Sequence, residues 1–199
     1  MRQGGNAMTK KARQAAGVAV VVAVLEWTSS ATATESSAAV ASQEAIAGTN
    51  GPVRGLSPRL VAVITEAAAQ SKTFRGLVDR IGNTDGIVFV AEGQCGHGVR
   101  ACLLHAVTIA GPNRLLWILV DPRKTDREAM RSIGHELQHA VEVLDEPSVR
   151  STDAIYRLLL RIDGDRDSAG RFETEAATRA GEAVSRDLRK SAAAGKRRD

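Results

Sequence analysis

One stretch of this 199-residue chain, Gly134-His135-Glu136-Leu137-Gln138-His139-Ala140, carries the clearest signal for both fold and chemistry. It lies in a segment that opens with a capping box, in which Thr125 accepts from the backbone and Glu128 reaches back to it. Glu146-Pro147 stops the same segment, so the sequence predicts a single helix that runs to about Asp145.

This predicted helix has an apolar stripe and a polar face. The stripe consists of Met130, Ile133, Leu137, Val141 and Leu144. At about 3.6 residues per turn, His135 and His139 lie together on nearly the opposite face. Two imidazoles one turn apart can reach one cation, and neutral imidazole is a common zinc ligand. Glu136 is then placed to take a proton from water at that cation. The alternative is a pair of surface histidines on a solvated helix face.

A catalytic zinc needs a third protein ligand beside an open position. Glu142 shares the histidine face but lies about 10 Å along the axis from His135, so it suits a carboxylate that orients an imidazole, or a solvated charge. A later predicted helix, from about Arg171 to Leu188, places Glu173 in its apolar face and points Glu175 away from it. An inward acid is costly unless it is paired or metal-bound, which favours Glu173 as the ligand; a salt bridge to an arginine is the alternative.

Helix and strand signals on both sides of this segment predict the fold class. Predicted helices cover Leu60–Ala68 and Phe74–Ile81, as two helices or one bent helix, and Ser151–Ile162 and Arg171–Leu188. Predicted strands cover Ile87–Val90, Leu103–Ile109 and Leu115–Val120, with a hairpin at Gly111-Pro112-Asn113. This order indicates an α+β domain, in which a small, mainly antiparallel sheet packs on the active-site helix and further helices follow.

His135, Glu136 and His139, with Glu173 as a late glutamate, resemble the zinc site of the zincin metallopeptidases, in the branch called gluzincins. The wider stretch from Gly134 to Glu142 is similar to small exported bacterial metallopeptidases. The resemblance implies a zincin-like sheet whose edge strand lines a substrate cleft, Zn²⁺ as cofactor, and a peptide or protein substrate. The expected function is peptide-bond hydrolysis with Glu136 as general base. The alternative is a catalytically inactive zincin-like domain that binds metal or a partner.

Two further side chains could donate to a developing oxyanion. Tyr156 is the only tyrosine and falls on the helix between the two ligand helices, whereas His105 falls on a predicted strand. A structural role is the alternative for each, because polar residues on packed elements are usually satisfied structurally.

The N-terminus matches a secretory signal. Lys10, Lys11 and Arg13 precede the apolar run Ala15–Leu25, and Ala31-Thr32-Ala33 offers a cleavage site. A membrane span needs about 20 apolar residues, so no stable span is expected after cleavage, although an uncleaved anchor or a disordered start is the alternative. The expected organisation is a signal at 1–33, a flexible arm at 34–58, the catalytic domain at 59–189 and a basic disordered tail at 190–199, in a secreted or periplasmic protein.

Cysteine content bears on disulfide formation, and the balance of charge bears on the kind of partner. Cys95 and Cys102 are the only cysteines, and an oxidising compartment favours a disulfide over two free thiols or a Cys-His metal cluster around His97. Outside the signal the chain holds 23 basic and 22 acidic residues, and aromatic residues are scarce, so no nucleic-acid partner is expected. The oligomeric state is left open.

Export predicts a defined mature chain. Signal peptidase should cleave after Ala33, because Ala31 and Ala33 are small and flank Thr32. The intact mass of the secreted protein measures this directly, together with the expected disulfide between Cys95 and Cys102. A mature chain that starts elsewhere, or one with two thiols that alkylate without reduction, would contradict the respective expectation.

Overall fold

The computed structural model describes residues 51–96, 98–162, 165–166 and 172–196, and they form the predicted α+β class with five helices and a small mixed sheet. The helices are α1 Pro58–Gln70, α2 Lys72–Gly82, α3 Asp126–Leu144, α4 Thr152–Arg161 and α5 Glu175–Gly195. The strands are β1 Val53–Gly55, β2 Gly86–Glu92, β3 Ala101–Leu103, β4 Thr108–Ala110, β5 Asn113–Val120, β6 Asp165–Arg166 and β7 Phe172–Glu173. None of these helices combines the length and the apolar character of a membrane span. The predicted signal lies outside the described residues.

Local sequence fixes where the helices begin. Each of the five described helices follows a serine or threonine whose hydroxyl accepts a backbone N–H of the first turn: Ser57, Ser71, Thr125, Ser151 and Thr174. Such a cap contributes about 1 kcal/mol. The capping box of α3 is confirmed, with both of its reciprocal hydrogen bonds.

Helix α5 differs from the prediction at both ends. It begins at Glu175 and not at Arg171, because Thr174 caps it and the two residues before the cap form β7. It continues to Gly195, so residues 190–195 of the predicted tail are helical.

The main sheet is mixed, with the order β1-β2-β5-β3 and β4 also paired to β5. β2 runs parallel to both β1 and β5, while β3 and β4 run antiparallel to β5. The prediction of a mainly antiparallel sheet is therefore wrong. Helices α1 and α2 form a crossover between β1 and β2, and parallel neighbours require a connection of that kind. β1 itself falls inside the predicted arm, so the folded part starts earlier than residue 59.

The predicted strand Leu103–Ile109 is two short strands with a break between them. β3 pairs with the end of β5 and β4 with its beginning, and the predicted hairpin turn is present, with Gly111 at a φ of 58°. The break contains His105, which therefore lies in a loop and not on a strand. β3, the break and β4 together form one irregular edge of the sheet.

The helices cover one face of the sheet. The residues on that face of β2 and β5 are buried, except Glu92 at the end of β2, and the alternate residues are partly exposed. α3 lies between this sheet face and α5, and it is buried on nearly every side. His139, whose side chain is only 7% exposed, is therefore not on a solvated helix face.

A buried arginine on β5 fixes the C-terminal end of α3. The Arg114 side chain is 1% exposed and forms an ion pair with Asp85. Its remaining N–H groups donate to carbonyls at and beyond the end of α3, those of Val143, Leu144, Glu146 and Val149. A cation at this end also interacts favourably with the helix dipole. Asp85 is held ionised, because the Arg114 hydrogen bond keeps the pKa of that carboxyl below its ordinary value.

Substitution of Arg114 should therefore destabilise the domain. Arg114→Met removes one side-chain donor from four carbonyls and from Asp85, and loss of hydrogen bonds made by a buried charged group costs about 1.5–3 kcal/mol. Urea unfolding measures the change, with Arg157→Gln as the control, since Arg157 is exposed on α4. A loss below about 1 kcal/mol, the scale of a surface ion pair, would contradict this role.

Candidate metal centre

Three of the predicted site residues meet at one point between α3 and the start of α5. One ligand atom each from His135, His139 and Glu173 lies within 4.8 Å of the other two. Two imidazole nitrogens and a carboxylate oxygen form a donor set that catalytic zinc sites use. The residues present can therefore hold one divalent metal ion.

His139 is oriented by a chain of polar contacts. Its Nδ1 lies 3.0 Å from Glu142 Oε2, and the hydroxyl of Thr174 donates to Glu142 Oε1 at 2.8 Å. Burial raises the pKa of Glu142, but the contacts with His139 and Thr174 outweigh it and leave the pKa below its ordinary value. An ionised Glu142 favours the proton on Nδ1, which leaves the Nε2 lone pair for a metal. Of the two roles predicted for Glu142, the orienting one fits this geometry.

Glu173 contacts His135 from a strand and not from the helix that was predicted to carry it. It lies on β7, and its side chain is 51% exposed, so the argument from an inward position on a helix was wrong. Its Oε1 lies 3.1 Å from His135 Nε2 and accepts a hydrogen bond from Thr178. Glu175, one residue into α5, is exposed and paired with Arg179. The structure thus brings Glu173, and not Glu175, to the histidines.

The contact between His135 and Glu173 shifts the pKa of both side chains. Burial lowers the pKa of His135, but the hydrogen bond that its ring donates to Glu173 and the charge of Glu136 outweigh burial and raise the pKa. Burial likewise raises the pKa of Glu173, and the contact with His135 reverses that shift. When His135 is protonated, it and Glu173 attract each other as a cation and an anion, and a metal ion bound by both would replace that proton.

Close packing of α3 against α5 holds this geometry. A Cβ added at Gly134 would lie 2.7 Å from Val184 Cγ2, and one at Gly181 would lie 3.2 Å from the Cβ of His135. Gly134 therefore needs to be glycine for the helices to approach this closely, and a side chain at Gly181 would require a shift of a few tenths of an ångström. Gly134 directly precedes His135, so the contact fixes the ligand-bearing turn of α3 beside α5.

Glu136 lies beside the three candidate ligands and is 8% exposed. Its Oε2 accepts a hydrogen bond of 2.8 Å from the backbone N–H of Leu103 on β3. Burial raises the pKa of Glu136, and the two neighbouring histidines and Leu103 only partly oppose that shift. The Leu103 contact could not be predicted from the sequence, because a backbone donor leaves no pattern in residue types. Thr174, by contrast, could have been found as a cap residue ahead of α5.

A cleft of about 230 Å³ opens on this cluster. Its lining consists of Cys95, Val99, Ala101, Cys102, Leu103, His105, His135, Glu136, His139, Leu159, Phe172 and Glu173. Cys95 and Cys102 form a disulfide in its wall, so neither sulfur is available to a metal, while His97 lies outside the described residues. His105 lines the cleft. Tyr156 is not part of the lining and packs edge-on against Phe172.

The cluster predicts one metal ion per chain with three protein ligands. In zinc titrations, His139→Ala should no longer bind the ion. Glu173→Ala should bind zinc with an affinity lower by about tenfold to a hundredfold, which is the loss seen even when a carboxylate that only orients a ligand is removed. Glu175→Ala removes a carboxylate two residues away and should bind like the wild type. Unchanged stoichiometry and affinity in Glu173→Ala would remove Glu173 from the site.

Comparison with known proteins gives no further guide to this site. No family model, curated protein or solved structure matches the chain. The function is therefore argued from the geometry of the side chains themselves.

Proposed function

We propose that the chain is an exported zinc-dependent peptidase, similar to the gluzincin branch of the zincins. The observation that carries the proposal is the position of Glu136. It is a buried carboxylate, adjacent in sequence to one candidate ligand, and it opens on the same cleft as all three. A purely structural metal site has no use for a buried acid that is not a ligand, whereas hydrolysis requires a base at this place.

The donor set fits zinc, and three protein ligands leave one position open for chemistry. A zinc ion bound there would act as a Lewis acid toward a substrate carbonyl and make water easier to deprotonate. His135, His139 and Glu173 would hold it. Glu142 and Thr174 keep the His139 ring in the orientation that binding of the metal ion requires.

Glu136 is the proposed general base. It would take a proton from the attacking water and later deliver it to the leaving amine. The N–H of Leu103 fixes the position of its carboxylate, so the base is already in place before a substrate arrives. This assignment requires no movement of α3, which is fixed at its C-terminal end by Arg114 and along its length by α5.

The edge strand supplies a surface for an extended peptide. Leu104 N–H donates to Trp117 on β5, whereas the N–H of the preceding residue, Leu103, points out of the sheet toward Glu136. The other backbone groups of β3 on that outer side can pair with an added strand, and strand addition is a common mode of binding extended peptides. A peptide along β3 would pass over the three ligands and the base.

His105 is the better placed of the two predicted oxyanion donors. It lines the cleft, and its ring packs against Phe172 at a centroid distance of 5.5 Å. An imidazole N–H near the reacting carbonyl would stabilise the developing negative charge. For Tyr156, which lies outside the lining, this role stays a prediction.

The disulfide supports export. Cys95 and Cys102 are joined in the wall of the cleft, and disulfides persist mainly in oxidising compartments. This agrees with the secretory signal predicted at residues 1–33. A secreted or periplasmic location would expose the enzyme to extracytoplasmic peptides and proteins.

Glu136→Gln separates an enzyme from a metal-binding scaffold. The amide oxygen of glutamine can still accept from Leu103, but it cannot act as a base. We expect zinc content and thermal stability close to the wild type, with hydrolysis lower by about two to four orders of magnitude. Release of fragments from a mixed peptide library measures the rate, since the substrate is undefined.

The matched control is Glu175→Gln, which neutralises an exposed carboxylate outside the cleft and should cleave like the wild type. Two results would contradict the proposal in different ways. If the wild type holds zinc but cleaves nothing, the chain is the catalytically inactive domain that binds metal or a partner. If Glu136→Gln cleaves as fast as the wild type, another group is the base.

A further inference from the structure

The cleft has a second branch on the side of α5. This branch encloses about 270 Å³ and shares His135, Glu136 and Glu173 with the first. Its remaining polar side chains are Arg100, Arg131 and Ser132, and Gly181 of α5 forms part of its wall. We call it the basic branch. Two guanidinium groups thus stand next to the proposed reaction centre.

Arg131 is without a protein partner at this place. Within residues 51–96, 98–162 and 172–196 its side chain makes no hydrogen bond or ion pair. Arg100 is little better paired, since its Nε lies 3.9 Å from Glu128, which is itself engaged in the capping box of α3. Both arginines are exposed, so neither is needed to balance a buried charge. Their donors are available to a ligand.

Among the described residues, the acidic side chains of the branch form no ion pair with Arg100 or Arg131. Glu136 accepts from the Leu103 backbone, and Glu173 is shared between His135 and Thr178. In the proposed enzyme Glu173 would also be a metal ligand. What a substrate meets beyond the ligands is therefore cationic.

The opposite end of the cleft is different in character. There the lining includes Leu103, Leu159 and Phe172 and no arginine or lysine. β3 runs from the basic branch, at Ala101, toward this apolar end, at Leu103. An extended peptide beside β3 would therefore place residues of different chemistry on the two sides of the reaction centre.

We propose that the basic branch binds a carboxylate of the peptide substrate through Arg131, with Arg100 as a second donor, and so makes the enzyme selective for acidic peptides. The carboxylate is that of an aspartate or glutamate side chain, or that of the peptide C-terminus. Guanidinium groups match carboxylates in planar, two-point hydrogen bonds, which gives direction as well as charge. This inference rests on the proposed peptidase function.

Three matched peptide libraries test the selectivity. All are N-acetylated; the first carries Asp or Glu at one varied position and a C-terminal amide, the second Asn or Gln with the amide, and the third Asn or Gln with a free C-terminal carboxylate. We expect wild-type kcat/KM to be about tenfold higher for the first or third library than for the second, the order expected for a charge-assisted contact in a partly open site. Which of the two is preferred identifies the source of the carboxylate.

Arg131→Gln should reduce this preference to within about twofold while cleavage of the neutral library persists, because one contact of modest strength is lost. Arg157→Gln, which removes an exposed arginine that lines neither branch, should keep the preference. An enzyme that cleaves all three libraries equally, or one whose preference survives Arg131→Gln, would overturn the proposal.

A peptide-binding experiment tests the basic branch independently of the proposed hydrolysis. Glu136→Gln protein is titrated by NMR with an acetylated, amidated pentapeptide that contains one glutamate, and with its glutamine counterpart. Tighter binding of the glutamate peptide, again by about tenfold and only with Arg131 present, supports the basic branch even if no library is cleaved. Equal affinities would reject the basic branch, and absence of cleavage alone would reject only the peptidase.

Discussion

Helices α3 and α5 approach closely at Gly134 and Gly181, where neither glycine places a side chain between the helices. A side chain at Gly134 would collide with Val184, and one at Gly181 would press on the Cβ of His135. Val is branched at Cβ and has few rotamers, so it cannot turn aside at little cost. The candidate site depends on this contact, because His135 follows Gly134 directly and Glu173 lies just before α5. A wider separation of the two helices would carry the carboxylate away from the imidazoles.

The same packing buries most of α3, so the polar side chains of that helix need hydrogen-bond partners. Polar side chains on a buried helix must find partners inside the protein, because an unsatisfied polar group in the interior costs about 1–3 kcal/mol. In the described ranges every buried side-chain nitrogen or oxygen has a hydrogen-bond partner. Arg114 is explained by structure alone, since it caps the helix. Glu136 is not, because its single backbone contact leaves a buried acid at the mouth of a cleft. Buried acids whose pKa is raised are concentrated at functional sites.

The parts of the fold that local signals specify could be predicted from the sequence. Apolar spacing and Ser or Thr caps define the helices, and the hairpin at Gly111 follows from turn chemistry. The parts that depend on distant pairing could not. β1 has three residues and no periodicity of its own, and its place is set by pairing with β2 across two intervening helices. The parallel β2 and β5 pair was missed for the same reason.

In the candidate site, too, the local pattern could be predicted from the sequence and the tertiary contacts could not. His135, Glu136 and His139 form a local pattern on one helix, and their grouping follows from the helical repeat. The prediction of Glu173 used the wheel of a helix starting at Arg171, whereas that helix begins at Glu175, two residues after Glu173. It still meets His135, because the Thr174 cap turns the chain there and also holds Glu142. The contact of Glu136 with Leu103, and the arginines of the basic branch, depend on tertiary packing that residue patterns do not express.

The central claim is that His135, His139 and Glu173 together bind one zinc ion. A crystal structure of the zinc-loaded mature protein, with anomalous data collected at the zinc absorption edge, tests it most directly. The account predicts a single anomalous peak with a nitrogen from each histidine at about 2.0–2.1 Å and a Glu173 oxygen at about 2.0–2.2 Å. A zinc ion held by the two histidines without Glu173, or one bound elsewhere on the chain, would contradict it.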